Sequence, residues 1–152
     1  ITINSAAVRD PRLISEVAKR FGSQCVVVAI DTCLKDGEWM VFLDGGRTQA
    51  DLKTREWALK AEELGAGEIL LTSMNNDGTK EGFSIGLTGM ISRSVSIPVI
   101  ASGGAGKKEH FREVFENTNC SAALAASVFH YGEINIRELK EYLNKENIKV
   151  RI

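Results

Sequence analysis

The 152-residue sequence has no block of basic residues, and its charges nearly cancel, at a net −1. A nucleic-acid partner, which a basic stripe would announce, is therefore not expected. No apolar run approaches the roughly 20 residues that a membrane helix needs. The N-terminal ITINSAAV lacks the basic flank of a signal peptide. No membrane contact is expected, and a cytoplasmic location is. Cysteine is scarce: Cys25, Cys33 and Cys120 form no C-x-x-C pair. The two histidines, His110 and His130, stand in no metal-ligand spacing. The thiols read as reduced and mostly buried, and neither a metal nor a cofactor is expected. A starting methionine is missing as well. The chain opens Ile-Thr-Ile on what reads as a strand, which fits a segment of a longer polypeptide.

What is present is the composition of one ordinary globular domain, 43% hydrophobic and 26% charged. Apolar runs alternate with amphipathic ones. After a strand end at 1–3, Asp10 and Pro11 open a helix with Ile14, Val17, Ala18 and Phe21 on one face, stopped by Gly22. CVVVAID, residues 25–31, is the continuous β-branched run of a strand covered on both faces. Residues 38–43 suggest part of a hairpin. A helix over 51–64 places Trp57, Ala61 and Leu64 inward. A strand over 68–73 is followed by a loop over 74–83 and a helix from about 84, weakened by Gly86 and Gly89. Then come a strand at 98–101, a helix at 107–115 and a strand at 122–126. The last helix, 135–144, starts from an Asn135/Glu138 capping box with Ile136, Leu139, Tyr142 and Leu143 inward. Trp39 and Trp57 read as packing residues, and His130 as packed or surface-exposed. This repeated β(αβ) order predicts parallel strands with helical crossovers. Either an open doubly wound sheet or part of a (β/α)8 barrel satisfies it. A whole barrel needs roughly 200 residues or more, so a barrel reading makes the chain about half of one, with about five strands.

Ligands of parallel α/β folds sit at the carboxyl ends of the strands. There the sequence puts Asn4-Ser5, Asp31-Thr32, Thr72-Ser73 (leading to Asp77-Gly78), Ser102-Gly103-Gly104 and Ala126-Ser127. All are small, polar or acidic, although the strands themselves are apolar. The stretch PVIASGGAG leaves a buried strand through a loop almost without side chains. Such a loop accommodates either the close approach of a phosphate or a plain tight turn. Asp31, directly after VVVAI, is an acid–base candidate at the rim of an apolar interior, or else a loop-capping carboxylate.

Four blocks, FGSQCVVVAID, GAGEILLTSMNNDGTKEGF, IPVIASGGAGKKEHF and AALAASVFHYGEINIRELKEYL, resemble the cyclase subunit of imidazole glycerol phosphate synthase, from histidine biosynthesis. The resemblance runs along the whole chain. It implies a (β/α)8 barrel of two similar halves, with residues 1–152 as the C-terminal part of one domain and the N-terminal half absent. It implies a lyase that takes ammonia from a glutaminase partner. The ring closure turns a substrate with a phosphate at each end into imidazole glycerol phosphate and an aminoimidazole carboxamide ribotide. Residue by residue, Asp31 matches a catalytic aspartate. Asp77, Gly78, Gly103, Gly104, Ala126 and Ser127 match one phosphate site, and Asn4 with Ser5 contribute to the other. Thr72 and Ser102 line the pocket, and Glu68 matches an ammonia-gate glutamate. The family's other catalytic aspartate lies in the first half. The alternative is a stand-alone half-barrel that binds phosphate without catalysis and either self-associates or pairs with an N-terminal half. Asn75 stands where many members carry Asp, and ENTNCS (116–121) replaces a common turn.

Overall fold

Short β-rich runs separated by amphipathic helices fold into one mixed sheet in the computed structural model, which describes residues 1–151. In chain order the elements are β1 (Thr2–Ile3), α1 (Ser5–Arg9), α2 (Arg12–Phe21), β2 (Val27–Lys35), β3 (Glu38–Leu43), β4 (Thr48–Lys53) and α3 (Thr54–Glu63). They continue with β5 (Glu68–Ser73), α4 (Ile85–Ser94), β6 (Val99–Ser102), α5 (Lys108–Asn117), β7 (Ala122–Leu124), α6 (Ser127–His130) and α7 (Ile136–Lys145). β1, β2, β5, β6 and β7 are parallel neighbours in chain order. β5 occupies one edge of β2 from Val27 to Thr32. β1 and the antiparallel β3 share the other edge, β1 beside Val27 and Val28 and β3 from Asp31 onward. A doubly wound sheet reverses its strand order at a switch point; this one keeps a sequential order. Right-handed crossovers between sequential parallel strands leave the helices on one face, an α/β arrangement consistent with part of a (β/α) barrel.

The two faces of the strands are separated by their period of two. Val28, Ile30, Ile69, Leu71, Val99 and Ala101 are all buried, in cores that also hold Trp57, Ala58 and Ala61 of α3, Leu87 and Ile91 of α4, and Phe111 and Val114 of α5. The alternate residues, Ala29, Asp31, Leu70, Thr72, Ile100 and Ser102, are half-buried on the other face. A second core under β7 is built around an aromatic trio, with Phe111 5.3 Å from Phe83 and 5.8 Å from Phe129 between ring centroids.

Several elements differ from the sequence reading. β2 runs on to Lys35 because β3 continues its ladder after the parallel pairing with β5 ends at Thr32. Residues 51–53 extend β4 instead of opening α3, since Leu52 joins the partly buried face packed on the core. The short helices α1 and α6 replace loops. Phe21 and Ile136 are exposed; Phe21 lies under the Arg20 guanidinium at 5.2 Å. Asn135 does cap α7, accepting from Arg137 N and Glu138 N, but Glu138 reaches Lys108 and not back to the cap. Of the three free cysteines only Cys120 is buried.

Candidate functional site

Strand register places the sequence-selected residues in rows. Asp31, Thr72, Ser102 and Leu124 are direct neighbours across β2, β5, β6 and β7. Ala29, Leu70, Ile100 and Ala122 form the row beneath, and Val27 with Glu68 the one below that. Glu68 therefore shares a face with Asp31 and Thr72 but sits at the opposite, N-terminal end of β5. Thr32 belongs to the helix-covered face, where its buried hydroxyl bonds Met40 O and Thr54 Oγ1.

At the β2 end of the rim, Asp31 Oδ2 accepts a hydrogen bond from Asn4 Nδ2 at 2.9 Å. The other atom of that amide, Asn4 Oδ1, is buried without a partner among the described residues. Ser5 Oγ accepts from the backbone N–H of Asp44 at 2.9 Å, which holds the β3–β4 turn against α1. The Arg9 guanidinium grips the same turn through both Asp44 oxygens at 2.7 Å. That hydrogen bond keeps the Asp44 carboxyl below its ordinary range.

At the β5–β7 end the chain packs backbone on backbone. The loop after β5 folds back through Asp77 N to Ser73 O (2.9 Å), Ser73 Oγ with Asn76 Oδ1 (2.7 Å) and Asn76 Nδ2 to Gly82 O (3.0 Å). Gly82 N then donates to Gly104 O at 2.7 Å. Gly104 has φ +103°, and the Gly82 carbonyl oxygen lies where a Cβ would go. Much of what the bare loop accommodates is thus the neighbouring loop. Beyond it, Gly106 N and Lys107 N both donate to His110 Nδ1 (3.1 and 3.3 Å), fixing the start of α5. Asn75 Oδ1 accepts from Leu34 N at 2.9 Å and links the two ends of the rim.

The seam leaves a cavity of about 220 Å³ between the loop after β5, the glycine loop and the start of α6. Asp77, Gly78, Ser102, Gly103, Gly104, Ala126 and Ser127 line it. Asp31, Thr72, Asn4, Ser5 and Glu68 do not. Lys80, Ala105, Leu124 and Ala125 complete the lining and were not singled out by the sequence. For Lys80 the signal was available: it is the cation of NNDGTKEG, the loop that leads from Asp77 back to the glycines. A larger cavity of about 460 Å³ between α5, β7 and α7 is lined mostly by apolar side chains and contains none of the candidates. Among the described residues no group of three His, Cys, Asp or Glu side chains could hold a metal ion, and no helix is long and apolar enough to cross a membrane.

A model of the family described as "Histidine biosynthesis protein" matches residues 1–135. The chain belongs to this histidine biosynthesis family. It is 58% identical over 153 residues to the imidazole glycerol phosphate synthase subunit HisF of Hydrogenobaculum sp. (strain Y04AAS1), covering all of this chain and 61% of that one. It is 57% identical over 155 residues to the protein of the same name from Clostridium botulinum (strain Okra / Type B1), again over 100% of this chain and 61% of the relative. The chain thus spans about three fifths of the length of the curated family members it matches. The family assignment agrees with the sequential parallel strands and with a rim of small polar residues at their carboxyl ends.

Proposed function

We propose that the chain is the C-terminal part of the cyclase subunit of an imidazole glycerol phosphate synthase. The single observation that carries this reading is the row Asp31–Thr72–Ser102, running directly into the glycine-loop pocket, in a chain 58% identical to a subunit of that name. The sheet is one side of a (β/α)8 barrel, and the half-buried face carrying Asp31 lines its interior. Strands from the remaining two fifths of the relatives' length close it, whether they come from the same polypeptide or a separate one.

In this reading the pocket holds one phosphate of a bis-phosphorylated ribotide. Backbone N–H groups of the Gly78, Gly104 and Ser127 segments receive its oxygens, the usual use of glycine loops and turn nests. Asp77, Gly103 and Ala126 shape the walls. Thr72 and Ser102 place hydroxyls along the path from that phosphate to Asp31. Asp31 moves a proton during ring closure, as general acid or base. Its Oδ2 is held by Asn4, which orients the carboxylate. Asn4 and Ser5 therefore serve Asp31 and the β3–β4 turn with their side chains, and their contribution to the second phosphate site comes through the backbone around α1. Glu68, two rows down at the opposite end of β5, stands where ammonia from a glutaminase subunit enters.

Ring closure requires proton donation and proton removal, and this chain supplies one well-placed carboxylate for it. Ammonia-dependent turnover is expected when a segment equivalent to the relatives' remaining length is supplied. In that assembly Asp31→Asn keeps the shape, removes the charge and lowers the rate by roughly 10²- to 10⁴-fold, with substrate affinity little changed. Steady-state assays with ammonium salts measure both. Equal rates for the two versions remove Asp31 from the mechanism. Phosphate binding without turnover in a correctly assembled barrel leaves the non-catalytic half-barrel as the better reading.

A further inference from the structure

The pocket has a charge problem that its backbone does not solve. Two ionisable side chains line it, Asp77 and Lys80. Lys80 is already engaged: its Nζ lies 2.6 and 2.8 Å from the two carboxylate oxygens of Glu133, in the turn between α6 and α7. Asp77, Lys80 and Glu133 together sum to one net negative charge, at a place read as binding an anion. The ion pair also bridges the two walls of the pocket, since Lys80 belongs to the loop after β5 while Glu133 follows α6, whose first residue Ser127 forms the opposite wall.

The backbone fixes where Lys80 can reach. Its φ is +60°, a conformation that non-glycine residues rarely adopt. Its carbonyl is packed where a Cβ of Gly106 would be. The stem is therefore anchored on the glycine loop while the ammonium end reaches an exposed partner: the two side chains are 45% and 39% exposed. Exposed ion pairs of this kind are worth little and are readily exchanged for another anion.

We propose that Lys80 is the switchable counter-charge of this pocket, shared in competition between Glu133 and the phosphate group of the ligand. The proposal rests on the phosphate-site reading above and adds a residue and a regulation to it. A dianionic phosphate offers Lys80 more charge than a single carboxylate, and Coulomb attraction grows with that charge. When Lys80 turns to the phosphate, the strap across the two walls opens. Glu133 therefore weakens binding, and Lys80 strengthens it.

The test is a titration of the chain with inorganic phosphate, followed by the backbone amide signals of Gly78, Gly104 and Ser127. Thermal unfolding of each variant serves as a check on folding. Glu133→Gln should tighten binding by about two- to fivefold, the scale of a surface ion pair. Lys80→Met should weaken it by at least as much. In the Lys80→Met background, Glu133→Gln should have a clearly smaller effect, and raised ionic strength should shrink all the differences. A purely structural strap would make the two single substitutions act in the same direction. That result, or an unchanged affinity in either variant, overturns the proposal while leaving the pocket as a phosphate site. Absence of any response at Gly78, Gly104 and Ser127 in the unmodified chain removes the phosphate-site reading itself, and this proposal with it.

Discussion

The two ends of the strand rim are held by different forces. Around β5–β7 the loops are joined backbone to backbone, with glycines where a neighbouring carbonyl leaves no room for a side chain. Around β2–β4 the turn between β3 and β4 is clasped to α1 by side chains, through Ser5, Arg9 and Asp44, and Asp31 stands on a half-buried face with Asn4 as its partner. Tight backbone packing has no slack, so the pocket's shape is set before any ligand arrives. Side-chain clasps at the surface are soft, so the carboxylate end depends on what else packs against that face. On the function proposed above, binding is prebuilt in this chain, and chemistry is left to be completed by the rest of the barrel.

The sharpest way to break this comparison is a methyl group in the seam. Gly104→Ala forces a Cβ against the Gly82 carbonyl and a non-glycine residue into φ +103°. Backbone strain and overpacking together predict a loss of roughly 2–6 kcal/mol, read as a lower urea midpoint. Gly78 is the internal control: it also has positive φ (+78°), but nothing lies within 4 Å of its added Cβ. Gly78→Ala should cost only about 1–2 kcal/mol, the penalty of a left-handed non-glycine residue. Equal losses at the two glycines would mean that the seam is not tight. Bulk at Gly104 is therefore a poor test of phosphate binding, because it damages the loop before it blocks a ligand.

The strands and the glycine loops were legible in the sequence because their signals are local. An unbroken β-branched run such as VVVAI has few other uses, and glycines that must be glycines stand out. The reason for those glycines was only half legible, since a close approach by phosphate and one by the chain's own loop after β5 leave the same residues. What stayed hidden depended on partners distant in sequence. Residues 51–53 carry charges like those of the helix that follows, and only pairing with β3 makes them strand. Lys53 at the N-cap of α3 makes no side-chain cap bond that would have marked the boundary. α1 and α6 are too short to show a period. Phe21 and Ile136 keep the spacing of a buried face yet are exposed. For the site, the rim residues were found by their position after the strands. Lys80 was legible as the cation of NNDGTKEG, but its pairing with Glu133, 53 residues away, was not.

A smaller effect is expected where the hairpin end is anchored by a neutral hydrogen bond. Ser5→Ala removes the acceptor for the Asp44 N–H in a part-buried contact. About 1 kcal/mol should be lost, together with faster amide exchange across the β3–β4 turn and little change at the glycine loops. Exchange rising equally at Gly82 and Gly104 would show that the two ends are mechanically one unit, with the Asn75–Leu34 contact as the obvious link.

The smallest effect belongs to the Arg9–Asp44 clasp, and its sign with pH follows from its cause. The hydrogen bond from Arg9 lowers the Asp44 carboxyl from its ordinary value of 3.8. A group whose folded pKa is depressed contributes stability that is present above its unfolded pKa and disappears as pH falls through the folded one. The clasp is therefore intact at neutral pH and is released only below about pH 4. Arg9 and Asp44 side chains are 58% and 36% exposed, so water and salt screen the pair strongly. Asp44→Asn should leave the thermal midpoint at pH 7 unchanged within error, while the Arg9 side-chain N–H signal loses its hydrogen-bonded shift. The unmodified chain should show that same loss on acidification below pH 4, and the variant should not. A midpoint drop as large as that of Ser5→Ala would show that the ion pair holds the hairpin as strongly as the hydroxyl does. The carboxylate end of the rim would then be stiffer than its exposed contacts imply, and Asp31 would stand on a scaffold as preformed as the pocket.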